Sequence, residues 1–311
     1  MSMEKIIEPI DPRLIEQELT PERFLRNANN GGTQIYRFTA AEAPNAMQEL
    51  GRLREEAFRE AGGGTGKAAD IDEFDVGPNP YQQLVVWDPG EKMILGGYRY
   101  SVPGHDGGAA SMGATRELFE FSDRFVREFL PKTIELGRSF VRVHYQSSAQ
   151  RRKSLYVLDN LWDGLGALVV LYPGIDAFFG KVTMYPHYNS EARNILHCFL
   201  QKYFPDPDRL VWPREPLDLG MDRERLDALF TGGGYKADFE ILSAQLAQRG
   251  EKLPPLIKSY IGLSSTMRIF GTAINHTFGD VEETGILVRI PDIYPDKIQR
   301  HVDTYRASRE S

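Results

Sequence analysis

The period of apolar positions changes twice in the first third of the chain. Residues 15–25 carry them at helical spacing, residues 33–39 alternate as a strand does, and Met47, Leu50, Leu53 and Ala57 return to the helical period. The spacing predicts a strand followed by an amphipathic helix that stops at the glycines between Gly62 and Gly66. Two β-like runs, 81–87 and 92–101, flank the turn residues Asp88, Pro89, Gly90 and Glu91, as in an antiparallel hairpin. Residues 133–144 read as a third strand, and the helix after it sets Leu155, Leu158, Leu161, Trp162, Leu165 and Leu168 on one face. A strand at 177–184 and a helix grouping Ala192, Ile195, Phe199 and Tyr203 follow, before a proline-rich break at 205–216. Polar helices fill 222–248, and 267–277 with 286–290 form two closing strands joined through Gly279 and Asp280. This order implies an α/β fold with a mixed, mainly antiparallel sheet and helices on both faces. The expected organisation is one domain over 1–311, with a core at 33–204, a helical insertion at 205–265 and closing strands at 266–291.

Composition narrows the classes. The chain has 311 residues, 41% of them hydrophobic, which is enough to bury a substantial core. A net charge of −7 argues against a general nucleic-acid binder, whose phosphate contacts need clustered Lys and Arg. Cys198 is the only cysteine, so neither an internal disulfide nor a multi-thiolate zinc site can form. It sits beside Ile195 and Phe199 and reads as a core thiol. The histidines lack metal-ligand spacing, and His187 and His197 read as structural. No apolar run approaches the roughly 20 residues that span a bilayer, and the opening MSMEKIIEPIDPR has no signal-peptide core, so a cytoplasmic location is expected. The string GGGTGK at 62–67 is not a phosphate loop: Ala61 and Ala68 stand where Gly and Ser/Thr are required, and a helix precedes it. It reads as a flexible loop.

Charge concentrates in four segments: LREEAF at 53–58, DIDEFD at 70–75, GGYRY at 96–100 and ELGRSFV at 135–141. Arg54 reads equally as a solvated helix charge or a site residue, and the acidic run as a solvated loop or a set of partners. Arg99 and Arg138 lie inside expected strands, where an unpaired charge is expensive, so each requires a carboxylate. Glu135 and Arg138 have opposite strand parity and would face opposite sides of a regular sheet. A bulge at Gly137 would turn both into one cavity and free a backbone amide.

Together these segments resemble the shared pattern of acyl-homoserine-lactone synthases and the related acyl-carrier-protein-dependent N-acyltransferases called hemolysin-like, members of the GNAT superfamily. The stretches SLYVLDNLWDGLGALV at 154–169, FFGKVTMYPHYNSEARNIL at 178–196, LPPLIKSYIGL at 253–263 and FGTAINHTFGDVEETGILVRI at 270–290 are similar to the branch holding ornithine-lipid and glycine-lipid acyltransferases. The resemblance implies a GNAT fold whose fourth strand splays from the fifth to admit a pantetheine arm. It also implies direct transfer of a long, optionally 3-hydroxylated, acyl group from acyl-carrier protein to the amine of glycine or ornithine, with no permanently bound cofactor and no metal.

Such chemistry needs a group to deprotonate the amine and donors for the oxyanion. Within this reading Glu135 is the base, Asp72 and Asp75 bind or orient the ammonium, and Arg54, Arg99 and Arg138 fix those carboxylates or hold an acceptor carboxylate. Tyr185 and Tyr188 border the next strand's end, where a phenol could protonate the leaving thiolate. The segment QSSAQRRK at 146–153 lacks the glycines that cradle coenzyme A pyrophosphate, which favours acyl-carrier protein over acyl-coenzyme A. Arg151, Arg152 and Lys153 then suit the carrier's phosphodiester and acidic surface, or are simply a solvated helix start. A lipid product implies transient contact with the inner membrane surface. Signal synthesis, and a catalytically silent acyl-binding module on the same fold, are the competing readings.

Overall fold

The computed structural model describes residues 3–103, 105, 112–146, 151–218, 220, 223–231 and 233–310, with the side chains of 145, 146, 151–155, 223 and 310 outside that description. Asp11 accepts a hydrogen bond from the Arg13 amide (2.9 Å) and Pro12 fixes the first helical position, starting α1 (Pro12–Glu18). The helix expected over 15–25 ends seven residues earlier than that. Pro21 cannot continue it, and the chain instead forms the edge strand β1 (Phe24–Asn27), paired with β2 (Gln34–Phe38). Next, α2 (Pro44–Glu60) closes with a Schellman turn: Gly62 takes φ +89° and donates to the Arg59 carbonyl, while Gly63 donates to that of Phe58.

A single-turn α3 (Glu73–Val76) leads into the expected hairpin β3 (Gln82–Asp88) and β4 (Met93–Ser101). The turn α4 (Gly113–Arg116) and the three-residue β5 (Phe119–Phe121) precede β6 (Thr133–Val141). Then come α5 (Arg151–Leu171), β7 (Ala177–Met184) and α6 (Ser190–Tyr203). The proline-rich break expected at 205–216 contains a strand, β8 (Val211–Pro213), which pairs with β5, before α7 (Arg223–Asp227), α8 (Tyr235–Gln248) and α9 (Pro255–Ile261). The closing strands are β9 (Arg268–Asn275) and β10 (Val281–Arg289), so the last one starts five residues before the expected Ile286. Its acidic residues stay in the ladder because Glu282 pairs with Arg193 and Glu283 with Lys181. Two short helices, α10 (Pro295–Ile298) and α11 (Thr304–Glu310), end the chain.

The eight-stranded sheet runs β1-β2-β3-β4-β6-β7-β10-β9, and every neighbouring pair is antiparallel except β6 with β7. On one face α5 crosses β1 to β4 and β6, and α6, α8 and α9 complete the largest core cluster with Leu161, Leu165, Phe178 and Phe199. On the other face α2 packs Met47, Leu50 and Leu53 against Val85, Ile94 and Phe140. No described helix is long and apolar enough to cross a membrane.

Two irregularities at the middle of the sheet place the site. The parallel ladder between β6 and β7 covers only Thr133↔Ala177 to Glu135↔Phe179. Beyond it β6 stays paired with β4 up to Val141 and β7 with β10 up to Met184, so the two strands diverge while each keeps its outer neighbour. The second irregularity is a bulge. Gly97 pairs with Phe140 and Arg99 with Gly137, so Arg138 and Ser139 together oppose Tyr98, and Arg138 takes φ +50°. The bulge therefore sits one residue beyond the expected Gly137.

Candidate active site

The gap between β6 and β7 opens into a cavity of about 970 Å³. Its walls come from both sides of the sheet. On the α2 side lie Phe58, Tyr81, Arg99, Glu135, Arg138, Lys181, Thr183, Tyr185, Phe278 and Glu283, and on the α5 side Leu158, Trp162, Phe239, Leu253, Leu256 and Leu263. Strand alternation explains the division: Leu136, Phe178 and Val182 join the α5-side core, which leaves Glu135, Lys181 and Thr183 for the opposite face. One charged lobe thus communicates with one apolar lobe through the sheet.

The bulge sets Arg138 beside Glu135 on the charged side. Arg138 Nε donates to Asp70 (2.7 Å) and Nη2 to Asp72 (3.3 Å), and its guanidinium lies 4.3 Å from the centre of the Phe278 ring. Arg99 Nη1 donates to Asp72 (2.6 Å) and Asp75 (3.2 Å), and Arg54, fully buried, donates to Asp75 (3.1 Å) and Gln83. The acidic loop is shaped by its own capping box: Asp72 accepts from the Phe74 amide (3.0 Å) and Asp75 from the Asp72 amide (3.1 Å). Three arginines from α2, β4 and β6 therefore meet three aspartates from one loop. Burial alone would raise the Asp75 carboxyl, but Arg54 and Arg99 outweigh it and hold the group well below the usual carboxylate range. Burial lowers and the aspartates raise Arg99, with a net increase.

Glu135 is 1% exposed and accepts three hydrogen bonds: Tyr81 donates to Oε2 (2.5 Å), while the Thr115 amide (2.9 Å) and hydroxyl (2.6 Å) donate to Oε1. Burial, then Glu135, drives the Tyr81 phenol far above its ordinary value. Lys181 Nζ donates to the Ala114 carbonyl (3.2 Å) and lies 3.0 Å from Glu283 Oε2. Because the Ala114 amide donates to Tyr81 (3.1 Å), the two peptide units of α4 tie Lys181, Tyr81 and Glu135 together.

Of the residues singled out from sequence, Glu135, Arg99 and Arg138 line the cavity, whereas Arg54, Asp72 and Asp75 stand behind them as their support. The side chains of Arg151, Arg152 and Lys153 lie outside the described residues. Tyr185 lines the cavity, its phenol pushed up to about 12 by burial and by Glu283; Tyr188 instead donates to the Lys252 carbonyl (3.0 Å). His197 is buried and lowered to about 4 by burial, in keeping with a structural role, and Cys198 is buried. The Gly62–Gly66 segment, expected to be flexible, is anchored: Glu55 accepts from the Thr65 amide (3.0 Å) and hydroxyl (2.7 Å) and the Gly66 amide (2.8 Å). Trp162, read as core, also walls the apolar lobe and donates to Ser259 (2.8 Å). Sequence reasoning missed Lys181, Glu283, Tyr81 and Thr115. A charge inside the otherwise apolar β7 was the signal for Lys181, whereas Glu283 lay outside the closing strand expected from Ile286.

The protein class follows from comparison with known sequences. Residues 53–154 match the family described as an acetyltransferase (GNAT) domain, a span that contains the whole Arg/Asp network and Glu135. A protein of Bacteroides thetaiotaomicron named glycine N(alpha)-acyltransferase is 51% identical over 97% of this chain and 91% of its own length. Another of that name, from Phocaeicola vulgatus, is 49% identical over 97% of this chain and 94% of its own. The chain belongs to this family of GNAT acyltransferases. Among solved structures, FeeM, an N-acyl amino acid synthase from uncultured soil microbes, is 10% identical with a TM-score of 0.37, covering 88% of this chain and 97% of that one.

Proposed function

We propose that the protein moves a long acyl chain from acyl-carrier protein to the amino group of glycine, giving an N-acylglycine for lipid synthesis. The observation that carries this reading is the cavity through the sheet, which gives a charged lobe to an amino acid and an apolar lobe to an acyl chain. The names of the two relatives point to the same acceptor and favour glycine over ornithine. The absence of a glycine cradle at 146–153 supports the carrier protein as donor over coenzyme A. A product of this kind partitions into membranes, so the enzyme works in the cytoplasm and meets the inner membrane surface transiently.

In this mechanism the thioester carbonyl sits where β6 leaves β7 and has no ladder partner on that edge, and backbone amides near the Arg138 bulge receive the oxyanion. Glu135, held by Tyr81 and Thr115, retains one of the roughly four acceptor positions of a carboxylate and takes the proton from the attacking amine. The carbon–sulfur bond then breaks, and Tyr185 protonates the departing thiolate. Asp72, Asp75 and Arg54 hold Arg99 and Arg138 in place. Arg151, Arg152 and Lys153 receive the carrier protein. Mass spectrometry of lipids from a host expressing the protein tests the assignment: N-acylglycine should appear, and an unchanged lipid profile would refute it.

A further inference from the structure

The charges that line the acceptor lobe are not equally satisfied. Arg99 and Arg138 each reach two aspartates, so their charge is balanced before any substrate arrives. Lys181 and Glu283 have only each other as charged partners at ion-pair distance among the described residues. They sit on one face of adjacent strands: Gly285 faces Lys181 and Thr183 faces Glu283, which makes the two side chains diagonal neighbours. Glu283 is 5% exposed, and although Oε2 is 3.0 Å from Lys181 Nζ, the pair is misaligned for a hydrogen bond, so that oxygen accepts none. A buried carboxylate oxygen with unused accepting capacity is costly unless something fills it. On the lysine side, Nζ has three donors, and one is committed to Ala114.

We infer that Lys181 and Glu283 form the clamp for the acceptor amino acid, Lys181 taking the α-carboxylate and Glu283 the α-ammonium. This rests on the amino-acid acyltransferase reading above and goes beyond it by naming the recognising groups. The fit is chemical and geometric. An α-amino acid presents opposite charges one carbon apart, matching two opposite charges 3.0 Å apart, and its zero net charge leaves the buried pair neutral. A simple amine would bring an uncompensated cation, and an amino-acid amide would leave Lys181 without its anion. The clamp is also tied to the chemistry: Lys181 is anchored on Ala114, and the next residue, Thr115, holds Glu135. An ammonium on Glu283 therefore lies on the same wall as the base. Glu283 orients the zwitterion, Glu135 accepts one proton from nitrogen to free the lone pair that bonds to the thioester carbon, and as the carbon–sulfur bond breaks Tyr185 protonates the thiolate and takes the second nitrogen proton in return.

The test compares glycine with glycinamide as acceptors, using an acyl donor that the wild type accepts. The wild type should favour glycine by a hundredfold or more in kcat/KM, and a ratio near one would overturn the clamp whatever the variants do. Lys181→Met should raise KM for glycine at least tenfold, leave KM for the donor unchanged and collapse the glycine-to-glycinamide ratio; Lys181→Arg, which keeps the ion pair, should recover part of it. Glu283→Gln should raise KM for glycine without restoring glycinamide. A folded Lys181→Met enzyme with the wild-type KM and ratio would refute the inference. That failure is distinct from failure of the function itself, in which the wild type would make no N-acylglycine.

Discussion

Arg138 Nε lies 2.7 Å from Asp70, on the face of the sheet opposite to the one its place in a regular strand would give it. The left-handed backbone at Arg138, φ +50°, is what makes the contact possible, and an arginine is an uncommon residue to find there. Its fork bridges Asp70 and Asp72 while its plane lies on Phe278. A lysine has the charge but neither the fork nor the plane. Arg138→Lys should therefore lower kcat/KM by about tenfold or more, which is about 1.4 kcal/mol of transition-state stabilisation. Steady-state kinetics on the folded variant checks this, and equal values would separate the bulge from catalysis.

Asp75 carries the support of the arginine pair. With Arg54 fully buried beside it, Asp75→Asn should cost about 3–5 kcal/mol of stability at neutral pH, because it leaves buried guanidinium charge uncompensated. The carboxyl is depressed in the folded state, so its contribution is complete above its unfolded value of about 3.9 and is lost as pH falls through the lower folded value. Urea melts should show a constant gap between wild type and variant from neutral pH down to about pH 5, narrowing steadily below about pH 4. A gap independent of pH through the acid range would contradict the assignment.

The apolar lobe sets the acyl chain. Ala247 on α8 lines it near Phe239 and Leu253, and Ala247→Trp would fill space there. Each methylene kept out of the lobe costs about 0.8 kcal/mol, roughly fourfold in affinity. The variant should shift the preferred chain shorter by two or more carbons, read by competition between acyl donors. An unchanged profile would place the chain elsewhere.

Glu135→Gln preserves size and can still accept from Thr115, so the fold should survive. Loss of a general base costs typically about 10²–10⁴-fold, and kcat should fall within that range while KM for the donor holds. Full activity would remove Glu135 from the mechanism.

Much of this was legible in the sequence because cost is legible there. Arg99 and Arg138 sit in apolar strands, so carboxylates had to meet them, and the parity of Glu135 and Arg138 required a bulge that the structure places one residue further on. Lys181 and Glu283 escaped notice because they are separated by about a hundred residues and meet only through the register of β7 with β10, which no local pattern encodes. Tyr81 and Thr115 escaped for a similar reason: their role depends on the α4 turn, which brings the Ala114 and Thr115 amides to a tyrosine just before β3 and a glutamate on β6. The small sheet of β5 with β8 was missed because three residues are too few for alternation to register, and β1 because its apolar residues continued a helical count past Pro21.

The most direct measurement mixes purified protein, a long-chain acyl-carrier protein and glycine, and follows both free thiol and N-acylglycine by mass spectrometry. The account predicts stoichiometric release of carrier thiol and N-acylglycine, with acyl-coenzyme A a poorer donor. Thiol release without an acylated amino acid, or no turnover with any amino acid offered, would contradict it.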